Sequence, residues 1–228
     1  MKEPETVIIT GANRGIGLGI AQVLNNTGRK VIALNRTIAK SPWQEILCDV
    51  SNYESIHDAI QSLNCPIDAV IANAGIRRFG SIETLSISDW KKSIETNTNG
   101  VFYVAKETLP LLRNTQGYFI VIGSHAEQYS FSLGSAYCTS KAGLPQLVNC
   151  IIDEERYNGI RAAYLSIGAV KNRDHNGDEN WKLTPENIGT VIASLLQMPK
   201  NILIPYLDIR PQKPMHPSMK GIDLLQTK

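Results

Sequence analysis

Thr6-Val7-Ile8-Ile9-Thr10-Gly11-Ala12-Asn13-Arg14-Gly15-Ile16-Gly17 is the stretch that decides the fold. Thr6 to Thr10 reads as a buried strand, and Gly15 to Asn26 carries apolar residues at helical spacing. Three glycines in the pattern Gly-x3-Gly-x-Gly lie at the junction. They let the chain turn tightly and let backbone approach a ligand. A glycine turn that leaves a strand and opens a helix offers free N–H groups and the positive end of a helix dipole. Those are the requirements of a dinucleotide-phosphate cradle.

Outward from that turn, short apolar runs alternate with longer helical patterns. Strands are predicted at Lys30–Leu34, Glu45–Cys48, Ile67–Ala72, Tyr118–Ile122 and Ile160–Ile167, with a last one inside Ile202–Ile209. Helices are predicted at Ser51–Leu63 (capped by Ser51 or Asn52), at Ser88–Arg113 (capped by Ser88) and at Ser135–Tyr157. A further helix opens at Thr184-Pro185-Glu186, with Pro185 at the favoured first position. This order predicts an α/β fold, a single-domain Rossmann-type doubly wound parallel sheet with helices on both faces. Strands buried on both sides explain the continuous apolar runs. Residues 1–210 form the dinucleotide-binding and catalytic domain. Residues 211–228 form a tail in which Pro211, Pro214 and Pro217 rule out an ordinary helix or central strand.

Composition narrows the function. The chain has 228 residues, 43% of them hydrophobic, enough for one large domain with a sizeable core. Its formal charge of +2, with no basic block, speaks against nucleic acid. Cys48, Cys65, Cys138 and Cys150 lack metal-ligand spacing, so no metal is expected and reduced thiols are. No apolar stretch approaches the roughly 18 residues of a membrane helix. Met1-Lys2-Glu3-Pro4-Glu5 runs straight into a strand, so the expectation is a cytoplasmic protein with no membrane partner.

In order along the chain come Thr10 to Gly17, Asp49-Val50, Asn73-Ala74-Gly75, Asn97, Ser124, and Tyr137 with Lys141. Ser124 precedes Tyr137 by thirteen residues, and Tyr137 and Lys141 stand four apart. In these motifs the chain resembles the short-chain dehydrogenase/reductase family over nearly its whole length. The resemblance implies that Gly11, Asn13, Arg14, Gly15, Ile16 and Gly17 line the cofactor loop and that Asp49 and Val50 meet the adenine. It places Asn73, Ala74 and Gly75 at the end of the fourth strand, beside the cofactor. It makes Asn97, Ser124, Tyr137 and Lys141 catalytic, with Lys141 also bonding the nicotinamide ribose and Asn97 holding a water between Lys141 and solvent. After the sixth strand Gly168 and Val170 match the family. Ile167 and Asn172 stand where it has a proline and a threonine. The stretch from Lys171 to Leu183, where relatives carry a substrate lid, is short and polar, which predicts an open site.

The chemistry can be argued from the residues. A free tyrosine has a pKa of about 10, and lowering it to about 7 takes roughly 4 kcal/mol. An ammonium about 4 Å away supplies on the order of 4 kcal/mol at an effective dielectric of 20. Positions four apart share a helix face, so Lys141 is expected to depress Tyr137. Ser124, at the end of a strand, can donate to a substrate oxygen as charge develops. His125 follows Ser124, but the tyrosine already provides the proton. Arg77 and Arg78 read as solvated surface, with an anionic substrate as the alternative, and Asp153-Glu154-Glu155 reads as a solvated helix end.

Cofactor choice rests on the end of the second strand. An acid there accepts bonds from the ribose hydroxyls of NAD. Here the run is Ala33-Leu34-Asn35-Arg36, so Asn35 takes the acid position and Arg36 can pair with a 2′-phosphate. With Arg14 on the other side, NADP(H) is preferred and NAD(H) is less favoured. The expected activity is hydride transfer between NADP(H) and a small-molecule carbonyl or alcohol substrate. The alternatives are a catalytically idle dinucleotide-binding sensor or signalling protein of the same fold, and a relative that epimerises or dehydrates. Family members commonly pair helices across a two-fold axis. Val101, Phe102, Val104, Leu147, Val148, Ile151 and Ile152 on the two long helices point to a homodimer or homotetramer.

Overall fold

The computed structural model of the chain describes residues 5–171 and 181–213. Seven parallel strands form one sheet. They are β1 (Thr6–Thr10), β2 (Lys30–Asn35), β3 (Gln44–Leu47), β4 (Ala69–Ala72), β5 (Tyr118–Ile122), β6 (Arg161–Ile167) and β7 (Tyr206–Ile209). Their order across the sheet is β3-β2-β1-β4-β5-β6-β7, every neighbouring pair parallel. The chain builds outward from β1 in one direction, then restarts at β4 and builds in the other. The gap between the carboxyl ends of β1 and β4 is therefore the topological switch point, where sheets of this kind bind ligands.

Alternation along each strand creates two cores. Ile8, Ile32, Leu34, Val70, Phe119, Val121, Ala162 and Tyr164 face one side. There they meet α2 (Tyr53–Gln61), α4 (Gly100–Thr115) and α6 (Leu144–Glu155). Val7, Ile9, Val31, Ala33, Ile71, Ile120, Ala163 and Leu165 face the other, against α1 (Gly15–Asn26) and α7 (Pro185–Gln197). Burying each valine, leucine, isoleucine or phenylalanine among them contributes about 1.5–3 kcal/mol.

Several boundaries depart from the sequence reading, each for a local reason. Asn52 caps α2, its side chain accepting from Ser55 N at 3.0 Å. The helix predicted from Ser88 begins one residue earlier as α3 (Ile87–Ile94), because Ser86 and not Ser88 caps it, accepting from Asp89 N at 3.0 Å. It then widens into one π-helical stretch, Glu95–Asn99, before α4. The helix predicted over Ser135–Tyr157 is two. α5 (Ser135–Ala142) stops at Gly143, because Pro145 has no N–H to give to the Lys141 carbonyl. The last strand is only Tyr206–Ile209; β4 starts at Ala69 and β3 ends at Leu47. Within 211–228, residues 214–228 lie outside the described residues, as does most of the stretch expected to stand in for a lid, 172–180.

The seven residues advanced for subunit pairing also divide. Val101, Val104, Val148, Ile151 and Ile152 are buried within the chain, since they face the sheet. Phe102 is exposed and Leu147 half-buried. Glu155 is not a solvated helix end. It is 4% exposed and accepts bonds from Arg113 Nε at 2.9 Å and Nη2 at 2.5 Å, tying α6 to α4.

Two glycines give a matched test of packing. A Cβ on Gly19 would stand 2.4 Å from the Pro185 side chain, where α1 crosses α7. A Cβ on Gly143 would meet nothing within 4 Å, and its φ of −83° suits any residue. Gly19→Ala is expected to destabilise by about 1–3 kcal/mol through overpacking. Gly143→Ala is expected to stabilise by about 0.4–1 kcal/mol by restricting the unfolded chain. Urea denaturation of the two variants measures both signs.

Candidate active site

The glycine turn is braced from both sides. Gly11, with φ +69°, donates its N–H to the Leu34 carbonyl at 2.9 Å, and Ala12 N donates to Asn35 Oδ1 at 2.8 Å. From β4, Asn73 Nδ2 donates to the carbonyls of Thr10 (3.0 Å) and Gly11 (3.1 Å). Thr10 Oγ1 in turn accepts from Asn73 N at 3.0 Å and Ala74 N at 2.9 Å. Asn13 Nδ2 donates to Thr37 Oγ1 at 2.9 Å. Gly17 packs so closely that a Cβ there would lie 2.2 Å from the Gly11 carbonyl oxygen. Gly15 has φ +54° and faces open space. No side chain caps the first turn of α1, which includes Ile16, and Arg14 beside it is exposed. The result is a rigid cradle with unclaimed N–H donors at a helix N-terminus, which fits an anionic group.

Asn35 itself is 1% exposed. While its Oδ1 holds Ala12, its Nδ2 donates to Glu45 Oε1 at 3.0 Å. Both ends of the amide are thus used inside the protein, so Asn35 braces the loop and does not offer itself to a ligand. Glu45 also accepts from Ala39 N at 3.1 Å and from Ser41 N at 3.2 Å, and its hydrogen bonds hold its carboxyl below the usual range against the opposing effect of burial. Arg36, the next residue, is exposed. It lines a groove of about 420 Å³ with Asp49, Ile76, Arg78, Lys91, Lys92 and Thr96. Asp49 Oδ1 accepts from Ser51 N at 3.0 Å and Ser51 Oγ at 2.7 Å. Val50 packs under Gly100, whose Cβ would lie 2.9 Å from the Val50 carbonyl oxygen. Arg78 pairs with Asp89 at 3.3 Å, so the two adjacent arginines part company.

Ser124, Tyr137, Lys141 and Asn97 converge at the carboxyl ends of β4 and β5. The Ser124 hydroxyl lies close enough to the Tyr137 side chain to favour its charged form. Lys141 is 5% exposed and its Nζ donates to the Ile122 carbonyl at 3.0 Å. Asn97, fully buried in the π-helical stretch, accepts from Ile76 N at 2.8 Å. Its Nδ2 donates to the Ile76 carbonyl and to Ser140 Oγ, each at 2.9 Å. The Asn97 amide is therefore a clamp between the β4 loop and α5. Gly75 sits against it, with a virtual Cβ 3.2 Å from Asn97 Oδ1. Gly168 N donates to the Ile209 carbonyl at 2.9 Å, and Val170 forms a bridge with Leu183 that closes the base of the segment between them.

The electrostatics differ from the sequence expectation. Burial pushes the Tyr137 phenol up, opposed by the Ser124 hydroxyl and Arg77. Lys141 is pushed down to about 8 by burial, opposed by Glu127. The two side chains share a helix face as predicted, but Lys141 turns its ammonium to the β5 carbonyl. Both groups bear the cost of leaving water.

Sequence reasoning passed over three residues here. Tyr164 is hidden in the apolar run of β6. Its ring packs where a Cβ on Gly123 would be, and its hydroxyl accepts from Ser124 N at 3.2 Å. Glu127 lies one turn after Ser124, its Oε1 accepting from Ser166 Oγ at 2.5 Å and Tyr206 Oη at 3.1 Å. Asp208 on β7 meets His125 Nε2 at 2.7 Å. The only available signal was that Tyr, Glu and Asp interrupt apolar or turn segments near the expected strand ends. Phe79, from the loop after β4, stands edge-on to Tyr137 (6.3 Å between centroids) and to Phe131 (5.8 Å).

Comparison with known proteins adds the following. The family model described as short chain dehydrogenase matches residues 5–182. An uncharacterized oxidoreductase of Staphylococcus aureus (strain MRSA252) is 26% identical over 221 residues, covering 90% of this chain and 96% of the relative. An alcohol dehydrogenase from the archaeon Thermococcus sibiricus, solved in complex with 5-hydroxy-NADP, superposes with a TM-score of 0.84 at 27% identity. That match spans 94% of this chain and 100% of the other. Serine dehydrogenase from Escherichia coli gives 0.83 at 25% identity, spanning 92% and 100%. Among the described residues no helix is long and apolar enough to cross a membrane.

The Asn35 brace has a direct consequence. In Asn35→Asp a carboxylate oxygen replaces the amide donor that faces Glu45 at 3.0 Å. The variant is expected to lose about 1–3 kcal/mol at pH 7, from a lost donor and a like-charge pair. One carboxyl of that pair has its folded pKa raised, so the penalty is full above that value and shrinks as the pH falls through it. Urea denaturation at pH 7 and pH 4 reads out the difference.

Proposed function

The chain belongs to the short chain dehydrogenase family, and from that premise we propose that it is an NADP(H)-dependent oxidoreductase acting on a carbonyl/alcohol pair, with Tyr137 as proton donor and acceptor. One observation carries this reading: Ser124, Tyr137 and Lys141 meet at the sheet edge beside a braced, uncapped glycine cradle. A merely structural cluster would not need a half-buried tyrosine beside a buried lysine there.

The cradle formed by Gly11, Asn13, Gly15, Ile16 and Gly17 would hold the pyrophosphate, Asp49 and Val50 the adenine end, and Ala74, Gly75, Gly168 and Val170 the nicotinamide side. Asn35 and Asn73 would act one step back, by fixing the loop. When bound, the dinucleotide supplies or accepts the hydride. In reduction, Tyr137 gives its proton to the substrate oxygen, and the Ser124 hydroxyl donates to that oxygen as negative charge grows on it. Burial keeps Tyr137 a neutral phenol near pH 7, which suits a proton donor. Lys141, with its ammonium beside the β5 terminus, adds positive potential and would bond the ribose of a bound dinucleotide. Asn97 holds the β4 loop to α5, so that the donor and the cradle keep their spacing. Phe79 and Phe131 supply an apolar wall beside the reacting centre.

The preference for NADP(H) rests on Arg36, exposed at the end of β2, and on Arg14 across the cradle. No acid stands at the position that would accept from a ribose 2′-hydroxyl, since Asn35 is turned inward. The Thermococcus alcohol dehydrogenase solved with an NADP analogue supports the same choice.

Two measurements check this. Tyr137→Phe is expected to lower NADPH-dependent ketone or aldehyde reduction by at least 10²-fold, the scale of a lost general acid, while NADPH affinity by fluorescence titration stays within about 3-fold. Unchanged turnover would remove Tyr137 as the proton donor, and absence of turnover by the wild type with ketones, aldehydes and 3-oxoacyl thioesters would return the chain to the idle dinucleotide-binding alternative. Arg36→Ala is expected to weaken NADPH binding by about 10–100-fold, the scale of a charge-assisted phosphate contact, and to leave NADH binding nearly unchanged. Equal losses for both cofactors would remove the 2′-phosphate role.

A further inference from the structure

Glu127 is unlike the other acids of this chain. It lies on the short 3₁₀ turn His125–Glu127 that Ser124 caps, and only its Oε1 is paired. Oε2 is buried and has no hydrogen-bond partner among the described residues. A buried carboxylate oxygen left bare is costly unless a positive charge lies near. Lys141 lies near enough for the Glu127 charge to favour its ammonium form. Its ammonium has three donors, and one is given to the carbonyl of Ile122, two residues before Ser124. Lys141 and Glu127 thus flank the same stretch, residues 122 to 127.

We propose that Glu127 is a positioning residue of the active site, the standing counter-charge of Lys141 and, through Tyr164, a brace for the Ser124 turn. The proposal rests on the functional reading above, in which Tyr137 and Lys141 perform the proton chemistry. The brace is visible in the contacts. Ser166 and Tyr206 hold Glu127 Oε1, the Tyr164 ring packs on Tyr206, and the Tyr164 hydroxyl accepts the Ser124 N–H at 3.2 Å. Tyr164 stacks on Tyr206 with centroids 5.8 Å apart, which fixes both hydroxyls.

The charged and titratable groups around Glu127 are Tyr164 on β6, Tyr206 and Asp208 on β7, and Tyr137 and Lys141 on α5. Asp208 is already occupied by His125 and Arg210. Arg77 acts on Tyr137 from the loop after β4, and Lys141 is the cation whose charged form Glu127 favours. The carboxylate favours the ammonium form of Lys141 and disfavours the phenolate form of Tyr137. Its predicted effect is to keep Tyr137 a proton donor over a wider pH range, at the expense of the reverse reaction.

Glu127→Gln tests this, because the amide oxygen can still accept from Ser166 and Tyr206 while the charge is gone. In alcohol oxidation, which needs the deprotonated Tyr137, the midpoint of the pH profile of kcat/KM should move down by about half a unit or more, the scale of one charge at several ångströms in a partly screened site. Lysine side-chain NMR, with Lys141→Met for assignment, should show the Lys141 titration midpoint moving down as well. Glu127→Asp keeps the charge and should stay with the wild type. Glu127→Ala is the second neutral variant where Gln does not fold. Superimposable Lys141 titrations in wild type and neutral variant would overturn the proposal. If no alcohol is oxidised by any form, the functional reading fails, and the NMR titration still decides the counter-charge.

Discussion

Everything near the site depends on how the turn after β1 is held between its two neighbouring strands. A sheet that reverses direction at β1 leaves a crevice there, and the turn that crosses it has backbone groups with no ladder to join. Two asparagines settle the matter. Asn35 from β2 satisfies the Ala12 N–H, and Asn73 from β4 satisfies the Thr10 and Gly11 carbonyls. With those groups committed, the N–H groups at the start of α1 are the ones left over. The binding capacity of the loop is what remains after its own structure has been satisfied. That is why Gly17 must lack a side chain: the loop doubles back onto its own Gly11 carbonyl.

On the far side of the crevice the same economy appears in the helices. Both interruptions of regular helix fall at the site. The π-helical stretch Glu95–Asn99 swings Asn97 inward, and the Gly143–Pro145 break ends α5 one residue after Lys141. Insertions of one extra residue per turn re-aim side chains that a regular helix would place elsewhere. Here the result is a bond from Asn97 to Ser140, one residue before Lys141, and another from Thr98 Oγ1 to the Ser140 carbonyl at 2.8 Å. α5 is anchored to the π segment before it contributes any chemistry.

The sheet and its two-sided core were legible in the sequence, because they follow from apolar runs and a glycine turn, whereas the grouping of Ser124 with Tyr137 and Lys141 was implied by the family resemblance. Spacing four on a helix does place Tyr137 and Lys141 on one face. What spacing could not convey is direction. Lys141 turns to the Ile122 carbonyl, a partner nineteen residues away that no local pattern marks. Asn35 read as a ligand contact because it fills the position of a known contact; its inward turn depends on Glu45, ten residues on in a separate strand. Ser86 was passed over for Ser88 because both are serines before the same apolar pattern, and only the hydrogen bond to Asp89 N separates them. Glu155 looked solvated in an acidic run, and its burial depends on Arg113 arriving from another helix. Each miss involves a partner distant in sequence, whereas each success rests on local periodicity.

These long-range partners explain why the site is stiff in one place and open in another. Around Ser124 and Lys141, side chains and backbone are cross-bonded from β5, β6, β7 and α5, so charges there sit in a fixed, poorly hydrated field. Along the groove beside Arg36 the cations have a different status. Arg78 is claimed by Asp89, and among the described residues Arg36 forms no ion pair within 4 Å, although Asp49 and Glu95 line the same groove with Lys91 and Lys92. Positive potential therefore persists at that rim, where water screens it and where a multiply charged ligand would displace that water. Proton chemistry needs the first kind of environment, since small displacements shift both the proton's distance and its energy. Capture of a charged cofactor needs the second, since an exposed cation can reorient toward an arriving phosphate. The fold supplies both because the switch point lies between them, with the braced glycine turn as their common wall.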